Sequence, residues 1–137
     1  MYSFLVYSLA PYSYIDSEVA PYLNDFRIKM WDNCGDGKMN PTWQVSIKIV
    51  DKIPFSDKEV IGQCQRKPLG FDVMLLKDFW NASDDNNRRQ LVYHELLHCY
   101  LFVHHTPNSL MSEYHTLYNP IELEKQLDYF INKACKE

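Results

Sequence analysis

The chain contains 137 residues, of which 46% are hydrophobic and 15% aromatic, and it carries a formal net charge of -4. A chain of this length can bury roughly two-thirds of its unfolded surface, so we expect one domain over residues 1–137. Acidic and basic residues are interspersed without a basic patch, which argues against a nucleic-acid partner. No apolar run approaches the roughly 20 residues that a membrane helix needs, so we expect no membrane partner either.

The cysteines and the N-terminus bear on the cellular compartment. The four cysteines are widely spaced and lack the CxxC pairs of a zinc knuckle, so we expect no dense disulfide framework. Cys99 is interpreted as a small buried hydrophobic residue. Residues 1–9 are apolar but carry no cationic leader. These features predict a cytoplasmic protein, and we expect a monomer.

The first third of the chain predicts a strand, a helix and a loop. Tyr2–Leu9 is rich in aromatic and β-favouring residues and indicates an opening strand. Ser17–Met30 has apolar residues at three- and four-residue intervals, which is typical of an amphipathic helix. Pro21 lies in the first turns of this helix, where proline is tolerated. Asp32–Gly37 collects turn-forming residues, so we expect a surface loop there.

Three strands and two helices are predicted for the rest of the chain. Thr42–Val50 alternates apolar and polar residues, Glu59–Gln65 indicates a second strand, and Gly70–Leu76 indicates a third. The third strand becomes apolar on both faces towards its end. A long helix follows, with three candidates for its N-terminal cap: Asn81, Ser83 and Asp84. Pro120 can start a last helix.

The most informative segment is His94–His98, with the sequence HELLH. On a helix each residue turns about 100° and rises about 1.5 Å, so the two imidazoles lie about 6 Å apart and can converge on one metal ion. Glu95 projects from the adjacent surface, close enough to take a proton from a water held by the metal without being a ligand. The pattern predicts a hydrolytic metal site, and Zn2+ is the expected ion.

A third histidine reaches such an ion only if the helix ends soon after His98. On an unbroken helix His104 would be rotated about 240° from His98, and His105 would return to the same face about 10 Å further along. The helix ends soon in any case, because in Thr106–Pro107 the residue before proline avoids helical angles. All five histidines of the chain lie within residues 94–115, and this clustering favours metal binding.

The stretch from His94 to His104 resembles the metzincin metallopeptidase signature HExxHxxGxxH. The segment Asn108–Met111 resembles the methionine-turn of that clan, at nearly the interval found in matrixins. The resemblance implies that His94, His98 and His104 bind zinc and that Glu95 is the general base. It also implies that the methionine of the turn forms a hydrophobic floor beneath the metal.

Membership of this clan implies an α+β, zincin-like domain with a small mixed sheet, an active-site helix, a methionine-turn and a C-terminal helix. The strand near Phe71–Leu76 would then be the edge along which an extended peptide lies. The implied function is a zinc-dependent endopeptidase that hydrolyses a peptide or protein substrate with water activated by Glu95. Tyr114 is a candidate for hydrogen bonding to the oxyanion of the reaction, with Tyr118 as a rival.

The sequence departs from the signature at Leu101, which occupies the position of its glycine. That glycine commonly adopts a left-handed backbone conformation, and a leucine there would cost roughly 1 to 2 kcal/mol. The turn can be shifted to another residue instead. His105 and His115 are then surface residues, or spare ligands if His104 does not reach the metal.

Two other interpretations stay open. A gluzincin-like site would take Glu122 or Glu113 as the third ligand in place of His104. A non-catalytic protein of zincin fold would keep the metal for stability and bind a partner without cutting it. An intact Glu95 argues against the second, because a site without catalysis has no need of it.

Overall fold

A computed structural model of the chain describes residues 9–10, 13–35, 43–54 and 60–136. Within these ranges the protein has a mixed α+β fold of four strands and four helices. The strands are β1 (Tyr14–Ile15), β2 (Gln44–Val50), β3 (Gly62–Lys67) and β4 (Gly70–Leu76). The helices are α1 (Ala20–Cys34), α2 (Lys77–Ala82), α3 (Asp85–Leu101) and α4 (Pro120–Cys135).

The four strands form one mixed sheet in the order β1-β2-β4-β3. Strands β1, β2 and β4 are parallel, and β3 pairs antiparallel with β4 at the edge. The prediction that Phe71–Leu76 is the edge strand is therefore wrong, because β4 pairs with β2 on one side and with β3 on the other. One face of β4 is buried through Phe71, Val73 and Leu75, whereas Met74 and Leu76 on the other face are half-buried.

The bounds of β2, β4 and α4 agree closely with the sequence prediction, whereas the beginning of the chain differs. The expected strand Tyr2–Leu9 lies almost wholly outside the described residues, and β1 is a separate two-residue strand. Helix α1 starts three residues later than expected, because Val19 is its N-terminal cap and Pro21 lies in its first turn. It also continues through part of the expected loop and ends at Gly35, which has a positive φ of 66°.

Helix α3 lies at the centre of the core. It packs on β3 and β4 and contacts α1 and α4 as well. Ion pairs connect the neighbouring helices. Arg89 of α3 forms a salt bridge with Asp25 of α1 at 2.6 Å, and Lys29 of α1 forms one with Asp128 of α4 at 2.6 Å. These contacts hold α3 in place, so the residues on it have defined positions. None of the described helices is both long and apolar enough to cross a membrane.

The four cysteines form two disulfides, which is not what their spacing predicts. Cys34 at the end of α1 is bonded to Cys135 at the end of α4, and Cys64 of β3 is bonded to Cys99 of α3. Cys99 is fully buried, as expected, but it is a half-cystine. The pairing could not be read from the sequence because the partners are 101 and 35 residues apart and only the fold brings them together. Structural disulfides persist mainly in oxidising compartments, so the paired cysteines do not support the expectation of a reducing one.

Candidate metal centre

Helix α3 presents His94 and His98 side by side. The helix is capped by Asp84, whose carboxylate accepts a hydrogen bond from the backbone N–H of Asn87 at 2.8 Å. The two residues are four positions apart, which is about one helical turn, so their imidazoles share a face, with ring centroids 4.8 Å apart. Their Nε2 atoms are 3.2 Å apart. The pair therefore converges as the HExxH spacing predicts.

The second nitrogen of each ring is held by a backbone carbonyl. His94 Nδ1 donates to the carbonyl of Leu110 at 2.8 Å, and His98 Nδ1 donates to that of Val103 at 2.6 Å. A carbonyl only accepts, so in the neutral rings the proton sits on Nδ1 and each Nε2 offers a lone pair. Two lone pairs that face each other repel, and a cation bound between them removes the repulsion. Two Zn–N bonds in tetrahedral geometry place the nitrogens about 3.3 Å apart, so the pair fits a metal ion.

The chain turns back immediately after α3, at Phe102. This residue has a left-handed backbone (φ 57°, ψ 30°), and its N–H hydrogen-bonds to the carbonyl of Leu97. The conformation costs about 1–2 kcal/mol in a residue with a side chain. The guanidinium of Arg66 lies 4.2 Å from the centroid of the Phe102 ring, and this cation–π contact offsets part of the cost. The turn thus occurs one residue after Leu101, where the metzincin signature has its glycine.

His105, not His104, is the third histidine at the centre. The ring of His105 lies 4.8 Å from that of His98 and 5.4 Å from that of His94, measured between centroids. One nitrogen of each of these three residues lies within 4.8 Å of the others. His104 is exposed and is not part of this group. The resemblance implied His104 at this place. In the structure the left-handed residue is Phe102, and the histidine three residues beyond it is His105.

Burial keeps the paired imidazoles neutral. Desolvation lowers the pKa of His94 to about 4, and the nearby imidazoles lower it further, against a weaker opposing effect of the hydrogen bond to Leu110. The pKa of His98 is also lowered, again mainly by desolvation. A histidine binds metal through an unprotonated nitrogen, so these environments favour the form that coordinates.

Glu95 is buried beside the histidines, with 5% of its surface exposed. Desolvation raises the pKa of its carboxyl to about 8. It lines the same cavity as the three histidines but does not belong to their group. A carboxyl next to a metal site that is not itself a ligand is positioned to exchange protons with a water molecule there.

The Asn108–Met111 segment forms a tight turn that orients His94. Thr106 N–H donates to the carbonyl of Met111 at 2.8 Å, and Asn108 has a positive φ of 58°. Ser109 closes the turn, with its hydroxyl donating to the Thr106 carbonyl at 2.7 Å. The Met111 side chain is fully buried in the core. The turn places the Leu110 carbonyl where it accepts the hydrogen bond from His94.

A cavity of about 590 Å³ opens next to the histidines. One wall is the start of β3 with the residues before it, and the other is the chain that follows Met111. Tyr114 lines this cavity with 76% of its surface exposed, and His115 lines it as well. Tyr118 is half-buried against the core instead. Of the two tyrosines, Tyr114 is the one that borders the open space.

Two glutamines support the site, and the sequence gives no signal for either. Gln90 of α3 is buried, donates to the carbonyl of Thr116 and accepts from the N–H of Tyr118 at 3.0 Å. Gln126 of α4 accepts a hydrogen bond from the Leu110 N–H at 3.2 Å. Both side chains hold the backbone of the cavity wall. Glutamine is common on helices, so only the tertiary contacts identify these two.

Comparison with known proteins agrees with this geometry. Residues 14–109, which are 96 of the 137, match a family model described as "Putative phage metallopeptidase". The chain belongs to this family. The part that matches the phage metallopeptidase model contains the sheet, α3 and the three grouped histidines, and it ends two residues before Met111. No curated protein and no solved structure matches the chain. A phage metallopeptidase requires a metal ion, and the histidine group is where the described residues can hold one.

Proposed function

We propose that this phage metallopeptidase is a zinc-dependent endopeptidase whose metal is held by His94, His98 and His105. The observation that carries the proposal is the convergence of two carbonyl-oriented imidazoles, with Nε2 atoms 3.2 Å apart, on a third imidazole. Three histidines leave one position of a tetrahedral ion open, as catalytic zinc sites require. The arrangement supports a metzincin-like site in which the third ligand is displaced by one residue.

Each residue of the centre has a separate part in the proposed reaction. Bound zinc would lower the pKa of a coordinated water to about 7 and polarise the carbonyl of the substrate. Glu95 accepts the proton of the attacking water on a carboxylate oxygen and later passes it to the leaving amine. The carbonyls of Leu110 and Val103 keep the imidazoles oriented throughout, because they hold the Nδ1 protons.

The substrate is an extended peptide that adds to the free edge of the sheet. Among the described strands β3 pairs with β4 alone, so its other edge offers unpaired backbone groups. The first residues of β3, Gly62–Cys64, also line the cavity that contains the three histidines. A peptide paired with β3 would therefore run past the metal, which places a backbone carbonyl within reach of the centre.

Tyr114 is the proposed donor to the oxyanion. It borders the cavity and is largely exposed, so its hydroxyl is free to approach a substrate carbonyl. Tyr118 is held back by backbone hydrogen bonds to Gln90 and Asn86, and its ring packs against the core. The role of Tyr114 follows from this difference in position.

The alternative interpretations receive less support from the described residues. A gluzincin-like site needs Glu122 or Glu113 beside the paired histidines, and the described groups that can hold a metal contain neither. Glu122 is instead hydrogen-bonded to Gln126 on the first turn of α4. A non-catalytic metal protein would not require the buried carboxyl of Glu95 next to the centre, since burying it costs free energy.

The test is cleavage of a disordered protein by the zinc-loaded enzyme, with and without a chelator. Glu95→Gln should bind zinc in the same ratio as the parent and lose about a hundredfold or more in turnover, because the general base is gone. Glu122→Gln is the matched control, and it should keep both zinc and turnover. Cleavage that persists in Glu95→Gln, or in the presence of the chelator, would refute the mechanism.

A further inference from the structure

Gly62, the first residue of β3, lies directly against Glu95. A Cβ atom added at this position would be 2.9 Å from Glu95 Oε2 and 3.2 Å from Glu95 Cγ. It would also be 3.0 Å from Cδ1 of Leu91. Real Cβ atoms essentially never come as close as the first of these distances, so any other residue at position 62 forces the Glu95 side chain to move.

The backbone at Gly62 does not itself require glycine. Among the described glycines those with positive φ are Gly35 and Gly70, and Gly62 has the conformation of an ordinary strand residue. A glycine in a strand lowers stability because it packs no side chain and loses more conformational entropy on folding. The space taken by the Glu95 carboxyl is therefore the physical reason for a glycine at this point.

Close packing limits where the Glu95 carboxyl can lie. The residue is buried, with 5% of its surface exposed, so its neighbours confine the side chain. Gly62 on the strand and Leu91 on the preceding turn of α3 are two of these neighbours.

We propose that Gly62 is a positioning residue that, by lacking a side chain, holds the Glu95 carboxyl between β3 and α3 at the metal centre. The proposal rests on the proposed function only where it assigns Glu95 a role in turnover. Position 62 also sets how closely β3 approaches α3. The glycine therefore sets the position of the general base, Glu95, relative to β3, the strand proposed to bind the substrate.

A double-mutant cycle on thermal stability tests the contact without any need for activity. Gly62→Ala should lower the melting temperature of the zinc-free protein by about 4 to 8 °C, as overpacking does. In the Glu95→Ala background both close atoms of residue 95 are gone and only the contact with Leu91 remains, so the same change should lower the melting temperature by much less. An equal loss in both backgrounds would overturn the proposal. If Gly62→Ala alone does not fold, restored folding in the double variant supports it.

Turnover gives the second arm of the experiment. Gly62→Ala should keep its zinc and its KM while kcat falls about a hundredfold, because a base displaced by about 1 Å reacts poorly. Lys125→Ala, an exposed position on α4 that does not line the cavity, is the control and should change neither kcat nor the melting temperature. An unchanged kcat in Gly62→Ala would refute the positioning role. If the parent cleaves no peptide, the proposed function fails, and the thermal cycle still decides whether Gly62 positions Glu95.

Discussion

Phe102 stands three residues before His105, and its left-handed backbone is what returns that histidine to the end of α3. The metzincin signature has the same separation between its glycine and its third histidine. In this chain both features are displaced by one position, so the spacing within the turn is kept while the helix is one residue longer. The site therefore needs no glycine at Leu101.

This relationship predicts different outcomes for two adjacent histidines. His105→Ala should lower zinc affinity by about a hundredfold or more, since it removes a ligand, and His104→Ala should leave zinc affinity close to that of the parent. Both variants remove an exposed imidazole, so each is the control for the other. The measurement is zinc affinity by competition with a chromogenic chelator. A larger loss in His104→Ala would contradict the assignment of the third ligand.

Substitutions of Phe102 should separate the backbone requirement from the ring contacts. Asparagine tolerates a left-handed conformation, whereas a β-branched residue does not. We expect Phe102→Val to be less stable than Phe102→Asn by about 1–2 kcal/mol and to bind zinc more weakly, because the turn no longer presents His105. Both variants lose the cation–π contact with Arg66, so the comparison cancels it. Denaturant unfolding and zinc titration report the two effects, and equal behaviour of the variants would exclude this role of the turn.

Gln126 should contribute to metal binding without touching the metal. Its side chain accepts a hydrogen bond from Leu110 N–H, and the Leu110 carbonyl accepts one from His94. Gln126→Ala frees that segment, so we expect zinc affinity to fall about tenfold. Lys125→Ala, at the neighbouring position of α4, is the control. Zinc affinity that is the same in the two variants would show that the turn keeps its place without Gln126.

The disulfides predict a chain with no free thiols when it is purified without reductant. Thiol titration of the unfolded, unreduced protein should then detect none of the four cysteines. Replacing Cys34 and Cys135 together with serine should lower the free energy of unfolding by about 2–4 kcal/mol, because the pair closes a long loop between α1 and α4. Four titratable thiols in the untreated protein would contradict the pairing.

Alkaline pH should destabilise the fold through buried tyrosines. Burial raises the pKa of Tyr22, Tyr93 and Tyr100 to about 12, and for Tyr22 a hydrogen bond to Asp85 adds to the effect. The folded state thus favours the neutral phenols, so their stabilisation is complete below pH 10 and is lost as the pH rises through 12. Tyr22→Phe should show a shallower loss over this interval in denaturant unfolding. Stability that stays constant from pH 9 to 12 would contradict the prediction.

Features that depend on near neighbours along the chain follow from the sequence alone. The spacing of His94 and His98 places both on one face of a helix whatever the rest of the fold is, and the alternation in Gly70–Leu76 specifies a strand. The carboxylate of Asp84 caps the helix for the same local reason. These regularities were sufficient to predict a pair of metal-binding histidines with a carboxyl beside it.

Three other features depend on the tertiary fold: the histidine that joins the pair, the strand at the edge of the sheet and the pairing of the cysteines. One backbone rotation at Phe102 selects His105 over His104, and such a rotation depends on contacts with Arg66 and the sheet rather than on the local sequence. The edge strand follows from pairing between segments that are distant in the chain. The contact of Glu95 on α3 with Gly62 on β3 also joins two separate elements, and no periodicity in the sequence predicts it.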